Sequence, residues 1–253
     1  MGYDEAMRLA LVSITANTEI RAGVHLLEVH APLLAQTVQP GQYCMLRCCD
    51  SFASDPLLRR PFFVHEAEPR RGLCRFLVYT RGRASAWLAR QQPGMSLDIL
   101  GPLGHGWTLP PEGRNLLLIG EEPVLASLIF LAHHALEHEL TVTLLHFASS
   151  MEASYPAALL PPEIEYQVMV GQPGPLQEYL RWADTVCCAV SRETLQTFSD
   201  PGWREKHFAQ AVLWPVFACG SGICLSCQTE TRHGPRLVCR EGPIFALSEL
   251  AES

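Results

Sequence analysis

Residues Phe217 to Cys239 read FACGSGICLSCQTETRHGPRLVC. Four of the chain's ten cysteines, Cys219, Cys224, Cys227 and Cys239, fall here with the spacing C-x4-C-x2-C-x11-C. Such a group can form disulfides, hold zinc or ligate a centre that carries electrons. Disulfides are rare in a reducing compartment. A zinc ribbon pairs two C-x2-C knuckles around a tetrahedral ion, and only Cys224 and Cys227 have that spacing. Gly220, Ser221 and Gly222 in the first gap let the backbone fold round a larger inorganic core and aim N–H groups at its sulfurs. C-x4-C-x2-C with a remote fourth cysteine is the plant-type arrangement for a [2Fe–2S] cluster, and zinc is its competitor. The stretch QTETRHGPRLV is long enough for a hairpin turning at His233-Gly234-Pro235, which returns Cys239 to the other three.

Outward from the cysteines, composition narrows the class. At 253 residues, 48% hydrophobic and 18% charged, the chain is long and apolar enough for two or three packed domains. A net charge of −7 argues against a nucleic-acid partner or an anionic membrane surface. The start MGYDEAMRLALVSITA places Asp4 and Glu5 where a secretory leader carries Lys or Arg. The most apolar later segment, Val124 to Leu136, contains His133 and His134 and is too short to span a bilayer. A soluble, cytoplasmic protein with no membrane partner is therefore expected. Cys44, Cys48, Cys49, Cys74, Cys187 and Cys188 sit in strand-like apolar text and read as buried structural thiols.

Three textures follow one another. From about Met7 to Gly104, the runs RLALVSITANTEI, GVHLLEVHAP, QYCMLRCC, RPFFVHEAEP, CRFLVYTRG and MSLDILGP are separated by the turn-formers PGQ, EPRRG and QQPG. Many short strands with Gly and Pro punctuation predict an antiparallel Greek-key barrel, with one helix around Ser85 to Gln91. From about Asn115 to Phe208, the strands NLLLIG, LTVTLLHFA, EYQVMVG and TVCCAVS alternate with helical text. The first helix is predicted over EEPVLASLIFLAHHALEH with Pro123 in its first turn. That alternation predicts a parallel sheet in an α/β domain. The expected domains are a barrel over residues 1–110, an α/β nucleotide-binding-like domain over 111–212 and a cluster domain over 213–253.

Together these segments resemble the electron-transfer subunit of the type B dihydroorotate dehydrogenases, in the ferredoxin-reductase superfamily. The family's final run, ACGxGxCxxC…VCxDGPVF, stands here as ACGSGICLSC…VCREGPIF. LRRPFFV from Leu57 resembles its LRRPxS strand, whose Arg meets the FAD diphosphate and whose Ser sits by the flavin ring. Arg60 and Pro61 match, followed by Phe62, and Phe63 stands at the Ser position. YTRGRASAWL resembles the family's YxxxGxGTxxL, the turn into a helix that cradles the diphosphate. It begins at Tyr79 and keeps Gly82, with Arg83 next, Ala84 for a glycine and Ser85 for Thr. PGMSLDILGPLGHGW matches the family's GDxxxVxGPxGNGF. The resemblance implies FAD on these barrel residues, a [2Fe–2S] cluster on the four cysteines, and an FMN-containing catalytic partner subunit in a hetero-oligomer serving pyrimidine biosynthesis. No catalytic acid, base or nucleophile is implied on this chain.

Two family marks are rewritten. The glycine-rich loop GGGxGxxPL, over which NADH approaches the flavin, is replaced by GEEPVLASL, with only Gly120 left before Glu121 and Glu122. Two carboxylates there repel a pyrophosphate and fill the space that glycines leave open. The later CGP is replaced by CCAVS, so ordinary NAD(H) binding is not expected. The alternative function is a non-catalytic electron-wiring module of another redox complex that has lost NAD(H) binding.

Overall fold

A computed structural model describes residues 8–50, 52–171, 176–197 and 208–250. The N-terminal stretch 1–7, read above as lacking a leader, and residues 198–200 of the text after the last α/β strand lie outside them. Six strands, β1 (Arg8–Arg21), β2 (Val24–His30), β3 (Tyr43–Leu46), β4 (Arg60–Glu68), β5 (Leu73–Tyr79) and β6 (Ser96–Leu103), close into a barrel in the order β1-β2-β5-β4-β3-β6. Every pairing is antiparallel. The alternating runs explain this, because side chains such as Ile14, Leu27, Val29 and Phe76 fill the interior with almost no exposure. Two short helices, α1 (Pro32–Thr37) and α2 (Arg83–Ala89), interrupt the barrel. Asn17 on β1 holds the end of α2, its Nδ2 donating to the carbonyls of Leu88, Ala89 and Gln91 at 3.0, 3.2 and 2.8 Å.

The second unit is a six-stranded sheet in the order β14-β11-β10-β7-β8-β9. Strands β7 (Asn115–Glu121), β8 (Thr141–Ala148), β9 (Glu165–Val170), β10 (Thr185–Ala189) and β11 (Phe208–Val212) run parallel. Helices α3 (Ala126–Glu137), α4 (Leu176–Trp182) and α5 (Arg192–Thr197) connect them. Pro123 does not lie in the first turn of α3, which begins at Ala126 instead. A proline disfavours helical geometry in the residue before it, and the carboxylates of Glu121 and Glu122 are engaged away from the helix, as described below.

The sixth strand comes from beyond the cysteines. β12 (Gln228–Thr231) and β13 (Gly234–Leu237) form a hairpin, followed by the helical turn α6 (Val238–Glu241) and β14 (Ile244–Ala246). β14 pairs antiparallel with β11, and Leu213 N–H donates to the Pro243 carbonyl at 2.8 Å. One apolar cluster accordingly runs through barrel, sheet and cysteine segment, including Tyr43, Leu103, Leu118, Ile129, Val238 and Phe245. All six cysteines outside the segment are buried, as expected for structural thiols. Among the described residues, no helix is long and apolar enough to cross a membrane.

A buried polar group joins barrel to sheet. His65 Nε2 on β4 meets the Tyr155 hydroxyl at 3.0 Å, and His146 Nδ1 on β8 meets the Tyr166 hydroxyl at 2.8 Å. Burial, with His133 and Arg75 nearby, pushes His65 down to about 3; burial, with Arg21, pushes His146 down to about 4. Both are neutral in the folded chain at pH values where the unfolded chain binds a proton. Their contribution to stability is complete above the ordinary histidine value of 6.5 and is lost as pH falls from there towards 4. Urea midpoints should therefore drop between about pH 7.5 and pH 5, and His146→Gln should flatten that slope. An unchanged slope in the variant would show that His146 does not carry it.

Candidate functional site

All of the barrel residues expected to meet FAD line one cavity of about 510 Å³. β4 supplies Arg60, Pro61, Phe62 and Phe63; β5 supplies Leu77 and Tyr79; the turn into α2 supplies Arg81, Gly82, Arg83, Ala84 and Ser85. Pro123 and Ala126 at the approach to α3 and Trp214 after β11 close the far wall. Trp214 was not singled out by the sequence. Its only signal is an aromatic residue just ahead of the cysteines.

The lining has the chemistry of an anionic, aromatic ligand. Arg60, Arg81 and Arg83 bring cationic groups to the cavity, against Asp55 as the lining carboxylate. Arg83 pairs with Asp55, and the Arg60 guanidinium donates to the Leu58 carbonyl at 2.7 Å. Tyr79 is buried, and its hydroxyl has no hydrogen-bond partner. Burial, reinforced by Glu122, pushes that hydroxyl's pKa up, so it remains a donor without an acceptor. A buried unmatched donor on a cavity wall marks where a ligand oxygen or nitrogen fits. Ser85, expected to meet the diphosphate, lines the cavity and is held at the start of α2. Its Oγ accepts from the N–H groups of Arg81 and Gly82 at 3.0 and 3.1 Å and donates to the Gly82 carbonyl at 3.1 Å.

From the cavity an aromatic column leads towards the cysteines. Phe63 stacks on Trp214 with centroids 4.1 Å apart and planes 27° apart. Trp214 lies 4.8 Å from Phe217, and Phe217 lies 5.1 Å from Tyr43. The Tyr43 hydroxyl then donates to the Cys239 carbonyl at 3.0 Å. Phe63, which departs from the serine of the resembling strand, is thus packed as one face of an aromatic wall.

The hairpin turns at Arg232-His233, one residue ahead of the predicted position, and brings Cys239 back against Cys227. Cys239 N–H donates to Cys227 Sγ at 3.4 Å, and Ser221 N–H donates to Cys219 Sγ at 3.3 Å. Cys219 is hydrogen-bonded by Cys224 and Cys239 by Cys227, with Cys219 also acting on Cys239, and among the described residues no three metal-ligating side chains are gathered into one site. Burial raises Cys219, but hydrogen bonds from Cys224 and Ser221 outweigh it and bring the thiol down to about 6. Burial and the neighbouring Cys227 push Cys239 up to about 12. Two pairs of soft sulfur donors, with backbone N–H groups aimed at the sulfurs, suit a two-iron centre in which each iron takes two protein thiolates. The loop is seated tightly: a Cβ on Gly220 would lie 2.9 Å from Met45 Cγ.

Comparison with known proteins agrees with this geometry. Residues 215–251 match the model of the iron–sulfur cluster binding domain of dihydroorotate dehydrogenase B. The electron transfer subunit of dihydroorotate dehydrogenase B (NAD(+)) from Desulforamulus reducens is 27% identical over 95% of this chain and 95% of its own length. The subunit of the same name from Geobacillus thermodenitrificans is 28% identical over 94% of this chain and 97% of its own. Among solved structures, an NADH-dependent reduced ferredoxin–NADP oxidoreductase superposes with a TM-score of 0.78 at 21% identity, covering 96% of this chain and 90% of that one. A ferredoxin reductase of carbazole 1,9a-dioxygenase gives 0.65 at 16% identity, covering 79% and 66%. The cysteine segment thus matches an iron–sulfur cluster binding domain, the chain is similar along nearly its whole length to electron transfer subunits of dihydroorotate dehydrogenase B, and its barrel-and-sheet fold is the one seen in ferredoxin reductases.

Proposed function

We propose that this chain passes electrons between FAD in the barrel cavity and a partner oxidoreductase, through a [2Fe–2S] cluster on Cys219, Cys224, Cys227 and Cys239. When bound, FAD exchanges electrons in pairs or singly and the cluster carries one at a time. The observation that carries this reading is the Phe63–Trp214–Phe217–Tyr43 column, whose one end lines the cavity and whose other end bonds the backbone of a cysteine. Arg60 and Arg83 supply the charge for a diphosphate, Tyr79 donates a hydrogen bond, and Phe63 with Trp214 offers an apolar face to a flat ring.

The partner docks over the cysteine loop. Val216, Ile223 and Leu225 are 79%, 83% and 57% exposed around the exposed thiol of Cys224. Apolar side chains grouped at the mouth of a redox site, on a chain that needs an electron acceptor, fit a protein surface rather than water. The motif resemblance to the type B dihydroorotate dehydrogenases extends this reading to an FMN-containing catalytic subunit that oxidises dihydroorotate, in a hetero-oligomer.

Anaerobic purification followed by visible spectroscopy tests the assignment. Flavin absorbance with iron charge-transfer bands is expected, with FAD in the heat-released fraction. A colourless protein containing zinc would sink the proposal. A second reading, an electron-wiring module fed by another protein, is favoured by Glu121, whose carboxylate at the end of β7 bonds Ser191 and Thr194 within the chain. Bleaching by dithionite but not by NADH supports it, and bleaching by low concentrations of NADH excludes it.

A further inference from the structure

In an open parallel sheet, ligands are taken up beyond the carboxyl ends of the strands, where the strand order reverses. Here the chain runs from β7 to β8 and β9 on one side, then to β10 and β11 on the other. The reversal falls between β7, which ends at Glu121, and β10, which ends at Ala189. That crevice is filled by a carboxylate of the chain itself. Glu121 accepts hydrogen bonds from Ser191 N–H and, at 2.9 Å, from Thr194 Oγ1. A backbone N–H and a hydroxyl at this place are the donors that a phosphate oxygen would otherwise engage.

Glu122 is directed to the barrel. It pairs with Arg21 at the end of β1 and, at 3.5 Å, with Arg81 after β5. Both guanidiniums also lie by the Tyr79 ring, at 6.0 and 5.5 Å from its centroid. Two arginines, one at the end of β1 and one in the turn after β5, thus converge on one largely buried carboxylate. Without that carboxylate they would form an anion site at the edge of the flavin cavity, which Arg81 lines. Gly120, the one glycine left in the loop, is needed for packing: a Cβ there would lie 2.6 Å from Leu125 Cδ1 and 2.8 Å from Leu128 Cδ1.

We infer that Glu121 and Glu122 are specificity-determining residues that occupy the dinucleotide crevice from within, Glu121 latching the strand-reversal point and Glu122 masking an anion site formed by Arg21 and Arg81. The masked site has the chemistry for a pyrophosphate group, and its masking excludes nicotinamide dinucleotides. Bare positive charge would attract such ligands, whereas a satisfied ion pair must first be broken and its carboxylate moved.

Calorimetric titration of the full chain, loaded with its own cofactors, with inorganic pyrophosphate and with NADH tests this. The unchanged chain is expected to bind neither at concentrations up to about 1 mM. Glu122→Gln, which keeps size and removes charge, should bind pyrophosphate at least about tenfold more tightly than the parent. Adding Arg21→Gln should abolish the gain; Arg21 does not line the flavin cavity, so this separates the masked site from any diphosphate position there. Glu121→Gly combined with Glu122→Gln should extend the gain to NADH. Micromolar binding of NADH by the unchanged chain, or no gain of pyrophosphate affinity in Glu122→Gln, overturns the inference. Should the glycine variant fail to fold in a thermal scan, the Glu122→Gln titration alone decides. Flavin and iron content, measured on the same samples, report separately on the electron-transfer assignment.

Discussion

Replacing Cys227 with serine is expected to strip iron from the chain while leaving a folded flavoprotein. Cys227 is 2% exposed, stands just ahead of β12 and receives the Cys239 N–H. Serine matches it closely in shape, so packing changes little. Its hydroxyl is a hard, weakly acidic donor and does not replace a thiolate on iron. Iron should fall from about two per chain to near zero, with loss of the charge-transfer bands. FAD, held by barrel residues, should remain at parental stoichiometry. Cys187→Ser, in β10, is the matched control, because that thiol is buried but lies outside the cysteine segment. Retention of iron in Cys227→Ser would remove it from the ligand set, and loss of FAD together with iron would show that the two sites are not independently built.

The second large effect is expected at the seam between barrel and cysteine segment. Gly104 follows β6 with φ +74°, and a Cβ there would lie 2.6 Å from both the Gly242 carbonyl oxygen and Pro243 Cδ. The same seam carries the bond from His105 N–H to the Gly242 carbonyl at 2.7 Å. Gly104→Val combines left-handed strain with a clash against backbone that cannot rotate away. Each costs about 1–3 kcal/mol, so a loss of about 2–6 kcal/mol is expected. For a chain of this length that corresponds to a fall in Tm of roughly 10 °C. Gly23 has a similar φ of +72° but open space around its Cβ position. Gly23→Val should therefore show the strain alone, at about 1–3 kcal/mol. Equal losses at the two positions would mean that the seam contributes nothing.

The barrel was legible because each of its strands is an alternating or apolar run bounded by Gly or Pro, and all six runs quoted from the sequence became strands. The parallel strands were legible for a related reason: NLLLIG and TVCCAVS are buried on both faces and read as unbroken apolar text. β14 was not, since three residues of Ile244–Ala246 carry no period and their partner β11 is remote in sequence. Helix α1, six residues led by Pro32, is likewise too short to show a period. At the site, residue types on the cavity wall came through the motifs. What escaped was tertiary: Trp214 stacking on Phe63, Asn17 holding α2, and Arg21 meeting Glu122 across the barrel–sheet junction. Glutamates replacing glycines signalled a changed loop, but only the structure shows what their carboxylates hold.

The bond between Leu213 and Pro243 and the pairing of β11 with β14 give the cysteine segment the topology of a stapled excursion rather than an appended tail. The residues between them include Phe217, Cys227, Val238 and Cys239, which pack into the core shared with barrel and sheet. Chain ends already held together make loop closure inexpensive in entropy. The excursion is therefore held twice, at its ends by sheet pairing and along its length by packing on the barrel. The cysteines are kept near one another by sheet and core, so the geometry of their segment does not depend on a metal alone.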